Sequence, residues 1–373
     1  MENTTTKRSN SRRSSQTHIA KKIIDCDIHN AVPPGGLSPY LSERWLEHHK
    51  TFGLRGRIGG YYPRALRNAA RHDAWPPSGL PPGSDLAFMQ EQLLDAWNIQ
   101  YGVLNPLIPV GEQLNLEYSA ALASAVNDWQ VADWVEPEPR LRASIVLPYE
   151  DGDLAAQEVH RCASNPAFVQ ILLLVRTREP LGNRKYWKIY EAAVEHDLPI
   201  GIHFGGNPGP ITGAGWPSYY IEDHGGMPQA FHTQVISYVC EGVFDRFPTL
   251  KVVLVEGGFA WLPPLIWRLD ATWEKLRSEI PDLKRRPSEY IRDHFYLSTQ
   301  PMEEPPKREY FEQMLEQMDM NDKLMFATDY PHWDFDAPDR ALPNFLAPEL
   351  RKKILSDNAR NLYTFDKLIT NNQ

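Results

Sequence analysis

Residues 23–30 read IIDCDIHN, a short apolar run that ends in alternating acidic and imidazole side chains. Apolar runs of four to eight residues are typical of buried β-strands. The sequence contains eight such runs, and the predicted strands are residues 22–27, 101–105, 143–147, 169–175, 200–204, 251–255, 295–298 and 324–327. Stretches with helical periodicity lie between them, at residues 86–97, 119–134, 185–195, 230–246, 261–280 and 307–318. Strands that alternate with helices pair in parallel, and eight such units predict an α/β fold, a (β/α)₈ TIM barrel.

An open, doubly wound sheet is the competing architecture. Such a sheet would usually need fewer strands and would often carry a glycine-rich turn after the first one, where this chain has Asp27, Ile28 and His29 instead. The phosphate-binding patterns GxGxxG and GxxxxGK[ST] do not occur in the sequence. Phosphate-binding chemistry therefore has no support.

The composition is that of a mildly acidic globular protein. The chain of 373 residues carries 39 Lys and Arg against 48 Asp and Glu, a net charge of −9, which argues against a general nucleic-acid or membrane-surface binder. No apolar run approaches the roughly 18 to 20 residues that span a bilayer, and the first residues lack the apolar region of a secretory signal. We therefore expect a soluble, cytoplasmic protein whose partner is a small-molecule substrate.

Three segments stand outside the alternation of strands and helices. Residues 1–20 are rich in Ser, Thr, Asn and Arg and offer little to bury, so we predict a disordered tail. The barrel domain would then comprise residues 21–373. Residues 30–84 and 205–228 are longer than ordinary strand-to-helix connections, and in a barrel both would be cap loops over the C-terminal face, where substrates bind.

Side chains that can bind a metal ion stand at the ends of several predicted strands. Asp27 and His29 end the first strand, His203 ends the fifth, Glu256 the sixth and Asp329 the eighth. Each residue alone has an ordinary structural interpretation, as a core histidine or a turn aspartate. In a barrel, however, all five would meet at the C-terminal mouth, and side chains two apart on a strand point the same way. Two imidazoles with two or three carboxylates suit Zn²⁺, Mn²⁺ or Fe²⁺.

The order of several motifs also resembles a known family. These motifs are IIDCDIHN (23–30), PIGIHFGG (199–206), KVVLVEGGFAWLPPLIWRLD (251–270), LMFATDYPH (324–332) and ILSDNARNLYTF (354–365). They resemble the amidohydrolase superfamily, and within it the branch that includes aminocarboxymuconate semialdehyde decarboxylase and the aromatic-acid decarboxylases. The resemblance implies a barrel that holds one divalent metal ion, commonly Zn²⁺ or Mn²⁺, and members of the family are often homodimers.

The resemblance also implies roles for individual residues. The implied metal ligands are Asp27, His29, His203 and Asp329, and Asp329 would also handle the proton of a water molecule. One position departs from the family pattern, because Glu256 stands where the family usually has a histidine that polarises the substrate or the attacking water. Glu256 would be a second general base or an additional ligand. The third predicted catalytic residue is His332, which lies just beyond the last strand and could touch the substrate.

Such a centre could perform two reactions. In hydrolysis, a divalent ion lowers the pKa of bound water from 15.7 to about 7, and Asp329 would take the water proton. In non-oxidative decarboxylation an acid protonates the substrate's carbon, and an ionised Glu256 would oppose the anionic substrate unless Glu256 is itself that acid. We favour hydrolysis of a C–N or C–O bond in a small cyclic or aromatic substrate. The alternative is decarboxylation of an aromatic or muconate-type acid, and a second alternative is a non-catalytic ligand-binding barrel.

His224, in the second cap loop, could close over the site as part of a lid.

Overall fold

Eight parallel strands form one sheet within residues 22–54, 67–207, 209–210 and 212–366, the part of the chain that the computed structural model describes. Each strand pairs with the next one along the chain. The strands are β1 (Ile23–Ile28), β2 (Ile99–Leu104), β3 (Leu141–Val146), β4 (Phe168–Leu174), β5 (Ile200–His203), β6 (Val252–Val255), β7 (Phe295–Ser298) and β8 (Leu324–Met325). The predicted (β/α)₈ barrel is confirmed. The predicted tail, residues 1–20, lies outside the described residues.

The seam between β1 and β8 nearly closes the barrel. Strand β8 has only two residues, so the closing contacts come mainly from the segment that follows it. The backbone N–H of Cys26 donates to the Phe326 carbonyl (2.9 Å), that of Asp329 to the Asp27 carbonyl (3.1 Å), and that of His29 to the Tyr330 carbonyl (2.7 Å). The seam therefore places the first and last polar motifs of the chain side by side.

Helices surround the sheet, and none within the described residues is long and apolar enough to cross a membrane. They are α1 (Glu43–Phe52), α2 (Leu86–Met89), α3 (Leu116–Gln130), α4 (Gly152–Cys162), α5 (Trp187–Glu195), α6 (Tyr220–Gly226), α7 (Pro228–Cys240), α8 (Val243–Arg246), α9 (Leu262–Leu276), α10 (Pro287–His294), α11 (Arg308–Met318), α12 (Pro348–Lys352) and α13 (Asn358–Leu362). Two of the differences from the predicted helix bounds have clear local causes. Helix α3 begins earlier than predicted because the Asn115 side chain caps it by accepting from the Tyr118 N–H. The predicted helix 230–246 is interrupted at Gly242, which has a left-handed φ of 71°.

The two segments predicted as cap loops contain helices of their own. Helix α1 lies in the first segment, of which residues 55–66 are outside the described residues, and α6 lies in the second. Both segments contact the connection that follows β8. The Ala69 carbonyl accepts from the Trp333 N–H (2.8 Å), and the His224 ring bonds to the Asp334 carboxylate (2.9 Å). The described parts of both segments therefore reach the C-terminal side of the barrel.

Arg142 on β3 ties the barrel wall to the end of the described chain. Its side chain is buried, and its guanidinium donates to the carbonyls of Pro139, Leu141 and Phe365. The guanidinium also lies 5.1 Å from the centre of the Tyr101 ring. Removing this group would leave the buried carbonyls of Leu141 and Phe365 without this donor.

We expect the substitution Arg142→Leu to destabilise the protein by about 3 kcal/mol, because hydrogen bonds from a charged donor to buried acceptors are lost. The measurement is the melting temperature, which should fall by about 5 °C or more. Arg44→Leu is the control, since the Arg44 side chain is 73% exposed and its ion pair with Glu117 is on the surface. Equal melting temperatures for the two variants would contradict the proposed anchoring role of Arg142.

Candidate active site

Four of the predicted site residues meet at the C-terminal mouth of the barrel and are buried. We call Asp27, His29, His203 and Asp329 the metal quartet; one ligand atom from each lies within 4.8 Å of the others. His29 Nε2 is 2.8 Å from Asp329 Oδ1 and 3.4 Å from Asp27 Oδ1. His203 Nε2 is 3.2 Å from Asp27 Oδ2. Residues from β1, from β5 and from the segment after β8 thus converge on one point.

The orientation of both histidines suits a metal ion. His29 Nδ1 is 2.7 Å from the Asn105 carbonyl, and His203 Nδ1 is 2.7 Å from the Phe204 carbonyl. Because a carbonyl only accepts, each Nδ1 carries a proton and Nε2 is directed at the carboxylates. An unprotonated Nε2 repels a carboxylate oxygen at these distances unless a proton or a cation lies between them. The donor set of two Nε2 atoms and two carboxylates therefore fits one divalent ion.

Electrostatics within the quartet lead to the same conclusion. Burial alone would raise the pKa of Asp27, but His29 and His203 hold it below its usual value. Burial would likewise raise the pKa of Asp329, but His332 and His29 lower it. Burial would lower the pKa of His29, but Asp27 and Asp329 raise it to about 9. Both aspartates are thus ionised at neutral pH, and a cation at their centre stabilises them.

Glu256 is a buried carboxyl group beside the quartet. Its side chain is 8% exposed, and its Oε2 atom is 3.3 Å from His203 Nε2. Burial raises the pKa of Glu256 well above its usual value, and the nearby carboxylates of Asp329 and Asp334 add to the effect. The sequence left three roles open at this position, a base, an additional ligand and an acid that protonates carbon, and the raised pKa favours the acid.

Glu256 and Asp329 both have backbone conformations that residues other than glycine seldom adopt. Their φ angles are 59° and 60°, in the left-handed region. Such conformations persist only where the surrounding structure holds them, and they concentrate at functional sites. Holding the two carboxylates in position therefore costs conformational energy in the backbone.

The structure places His332 against the quartet. Its Nδ1 is 2.7 Å from Asp329 Oδ1, and its ring stacks on that of His29 with 4.3 Å between the ring centres. The side chain is 11% exposed and borders a cavity that His29 also lines. Of His29 and His332, which both line the cavity, His332 is the more exposed, so a ligand in the cavity can contact it.

Three polar side chains that sequence reasoning missed complete the site. Asn105 Nδ2 donates to Asp27 Oδ1 (2.9 Å), and Gln300 Nε2 donates to Asp329 Oδ2 (3.2 Å) and Asp334 Oδ2 (3.1 Å). Asn105 and Gln300 follow β2 and β7. The position of polar residues at strand ends, which indicated the quartet, could therefore have indicated these two residues as well. Asp334 lies in an irregular segment beyond β8, and its position relative to a strand end could not have indicated it.

The ring of His224, the predicted lid residue, reaches this network from α6. Its Nε2 bonds to Asp334 Oδ2 at 2.9 Å, and a ligand atom of Glu256 lies within 4.8 Å of both. Burial lowers the pKa of His224, but the hydrogen bond to Asp334 reverses the shift and raises it. The second cap segment thus places an imidazole near Glu256.

We expect Asn105→Ala to weaken metal binding about 10- to 100-fold, because a hydrogen bond that orients Asp27 is lost. The measurement is the dissociation constant for Mn²⁺ or Zn²⁺ by competition with a chelator. Asn127→Ala is the matched control, since Asn127 is fully buried but donates to the Val146 carbonyl and to Glu158, outside the quartet. Equal metal affinity in both variants would show that Asn105 does not position Asp27.

A parallel eight-stranded barrel with two imidazoles and two aspartates buried at its C-terminal mouth defines a metal-dependent enzyme of the TIM-barrel class. Residues 24–365 match the family model described as Amidohydrolase (Amidohydro_2). The chain belongs to this family, and the resemblance found in the sequence motifs is confirmed.

Relatives of the chain include several decarboxylases. The gamma-resorcylate decarboxylase of Polaromonas sp. (strain JS666) is 28% identical over 306 residues, which cover 76% of this chain and 89% of that protein. A crystal structure of dihydroxybenzoic acid decarboxylase from Polaromonas sp. JS666, with bound manganese and the inhibitor 2-nitroresorcinol, has a TM-score of 0.65 at 22% identity and covers 92% of this chain and 96% of that one. A 5-carboxyvanillate decarboxylase from Sphingomonas paucimobilis has a TM-score of 0.66 at 18% identity, with coverage of 92% and 99%. The two structures establish the fold.

The prediction of a site for one divalent ion, Zn²⁺ or Mn²⁺, is confirmed. The described residues contain a buried Asp, His, His, Asp group, and the ion in the matched Polaromonas structure is manganese, one of the two ions predicted.

Proposed function

We propose that this protein is a metal-dependent non-oxidative decarboxylase of an aromatic acid. The observation that carries the proposal is a buried carboxyl group, Glu256, whose Oε2 lies 3.3 Å from His203 Nε2 beside the metal quartet and whose pKa is raised by burial. Decarboxylation of an aromatic ring requires an acid that can protonate carbon, whereas hydrolysis requires a base that can take a proton from water. The gamma-resorcylate decarboxylase relatives support the same reaction.

In this proposal the metal quartet holds the ion, and Glu256 and His332 contact the substrate. A bound divalent ion would stabilise negative charge on the substrate's carboxylate and on an adjacent hydroxyl oxygen. Glu256 donates its proton to the ring carbon that carries the carboxylate. The C–C bond to the carboxylate then breaks, its electron pair returns to the ring, and carbon dioxide leaves. Glu256 regains a proton from solvent, so each turnover consumes one proton.

The pair of Asp329 and His332 would hold the substrate in place. Asp329 accepts from Gln300 and contacts both His29 and His332, so its carboxylate is fixed in position. His332 Nδ1 faces Asp329, which leaves Nε2 to hydrogen-bond with a substrate in the cavity. In the hydrolytic mechanism favoured from the sequence, Asp329 would instead take a proton from water.

Hydrolysis, the preferred prediction from the sequence, receives no specific support from these relatives, whereas the decarboxylase alternative does. The presence of every quartet member in one buried site, with an acid beside it, argues for turnover and against a ligand-binding barrel. The predicted homodimer and cytoplasmic location stay predictions.

The proposal is tested with full-length protein that is stripped by a chelator and reloaded with Mn²⁺ or Zn²⁺. The reloaded protein is incubated with hydroxybenzoates, and separately with aryl amides and lactones. We expect equal amounts of carbon dioxide and the corresponding phenol from at least one hydroxybenzoate. Cleavage of an amide or lactone without carbon dioxide release would contradict the proposal and restore hydrolysis.

A further inference from the structure

An apolar cavity of about 660 Å³ opens directly onto the candidate active site. His29 and His332 form part of its wall, so the cavity and the quartet share side chains. Other parts of its wall are Leu46 on α1 and the pair Leu107 and Ile108, which follow β2. Proline, leucine, isoleucine and valine residues make up more than half of the residues that line it.

The cavity is larger than one aromatic ring requires. A cavity of about 150 Å³ accommodates benzene, so this one has roughly four times that volume. Its volume falls within the range of about 300 to 1,000 Å³ that is typical of pockets for drug-sized ligands. Its walls, which are mainly apolar but also include His49 and Lys50, would stabilise a second ring or an alkyl chain.

Asn30 provides a polar group at the metal end of this cavity. It directly follows His29, is 2% exposed and lines the cavity. Neither its Oδ1 nor its Nδ2 atom has a hydrogen-bond partner among the described residues, although both atoms are buried. A buried amide without partners destabilises a protein, so its presence here calls for a group that pairs with it.

We propose that the substrate is an aromatic hydroxy acid with a bulky apolar substituent, which occupies this cavity, while the Asn30 amide hydrogen-bonds the polar head of the acid. This inference rests on the proposed function, because it names the substrate class of the same site. The head group lies at the quartet, where Asn30, His29 and His332 are adjacent. The substituent extends between α1 and the segment after β2.

The cavity is tested by comparing 2-hydroxybenzoate with its 4-phenyl and 5-phenyl derivatives. Binding to the Mn²⁺-loaded full-length enzyme is measured by calorimetry, and carbon dioxide release is followed in parallel. We expect at least one phenyl derivative to bind tenfold or more tightly than the parent acid. Leu46→Trp and, as a second variant, Ile108→Phe should fill the cavity and remove this preference. Phe52→Trp is the control, because Phe52 is also on α1 but is 74% exposed and does not line the cavity.

The outcomes separate this inference from the proposed function. Equal binding of the parent acid and both derivatives, or a preference that survives in a folded cavity-filling variant, would overturn the pocket assignment. Selective binding of a phenyl derivative without carbon dioxide release would leave the pocket in place and contradict decarboxylation. Carbon dioxide release from all the acids with equal kcat/KM would support decarboxylation and overturn the pocket assignment.

Asn30 is tested by Asn30→Leu, which replaces the amide with an apolar side chain of similar size. We expect binding of the parent and phenyl-substituted acids to weaken about tenfold, since the amide contacts the part they share. The melting temperature should stay the same or rise, because an unpaired buried amide is removed, and metal content should stay at one ion per chain. A lower melting temperature with unchanged binding would overturn the role of Asn30 in substrate recognition.

Discussion

The His203→Ala variant is expected to lose its metal ion and to decarboxylate at least about 10³-fold more slowly than the wild type, since metal-ion catalysis contributes several kcal/mol. His203 is fully buried at the end of β5, and its Nε2 atom faces both Asp27 and Glu256. Its removal leaves three of the four ligands, and Asp27 Oδ2 loses its contact with His203 Nε2. The loss of metal and the loss of activity therefore have one physical cause.

Elemental analysis of purified protein provides the measurement, with about one Mn or Zn per chain expected in the wild type. Asp329→Asn is the second variant, because it keeps the shape of the side chain and removes its charge. His294→Ala is the matched control. His294 is also buried, but it directly precedes β7 and bonds to the Leu250 carbonyl, whereas the site residue Gln300 follows that strand. A stoichiometric ion in folded His203→Ala protein would remove His203 from the proposed ligand set.

The Glu256→Gln variant is expected to keep its metal and to lose about 10² to 10⁴ of kcat, the usual contribution of a general acid. Glutamine preserves the size of the side chain and its contact with His203 but cannot donate a proton from a carboxyl group. Glu138→Gln is the control, because Glu138 is also a buried glutamate but is paired with Arg140 away from the quartet.

The pH dependence of kcat gives a second measurement on Glu256. The folded-state pKa of this carboxyl is raised, and only the protonated form donates. Activity should therefore be full below that raised pKa and fall as the pH rises through it, and Glu256→Gln should lose this alkaline limb. Unchanged kcat in Glu256→Gln would assign the proton to another group, and loss of metal would make Glu256 a ligand, as the sequence also allowed.

Much of the fold could be predicted because the strands of a parallel barrel are buried on both faces. Runs such as residues 252–255 are apolar throughout and differ clearly from the amphipathic stretches that follow them. The predicted helix bounds differ from the structure where a single residue starts or interrupts a helix, as the Asn115 cap and the left-handed Gly242 do. Helix α1 was missed inside a predicted loop because only Trp45 and Leu46 of its apolar residues pack against the core.

The residues of the candidate site could be predicted for a related reason. In a parallel barrel every strand ends at the same mouth, so Asp27, His203 and Asp329 are brought together by chain direction alone. Gln300 and Asn105 obey the same rule but carry no charge, and a neutral amide after a strand is too common to stand out. Asn30 was missed because only the structure shows that its amide has no partner.

The sequence by itself determined the barrel, the family and the set of ionisable groups at one mouth, because strand order and strand ends follow from apolar patterning along the chain. Only the tertiary structure decided what those groups do. His29 and Asp329 are 300 positions apart and meet at 2.8 Å across the seam of the barrel. The protonation of Glu256 depends on burial and on carboxylates from other parts of the chain. The pKa of a group depends on its distances to other charges and to water, and those distances exist only once the chain has folded.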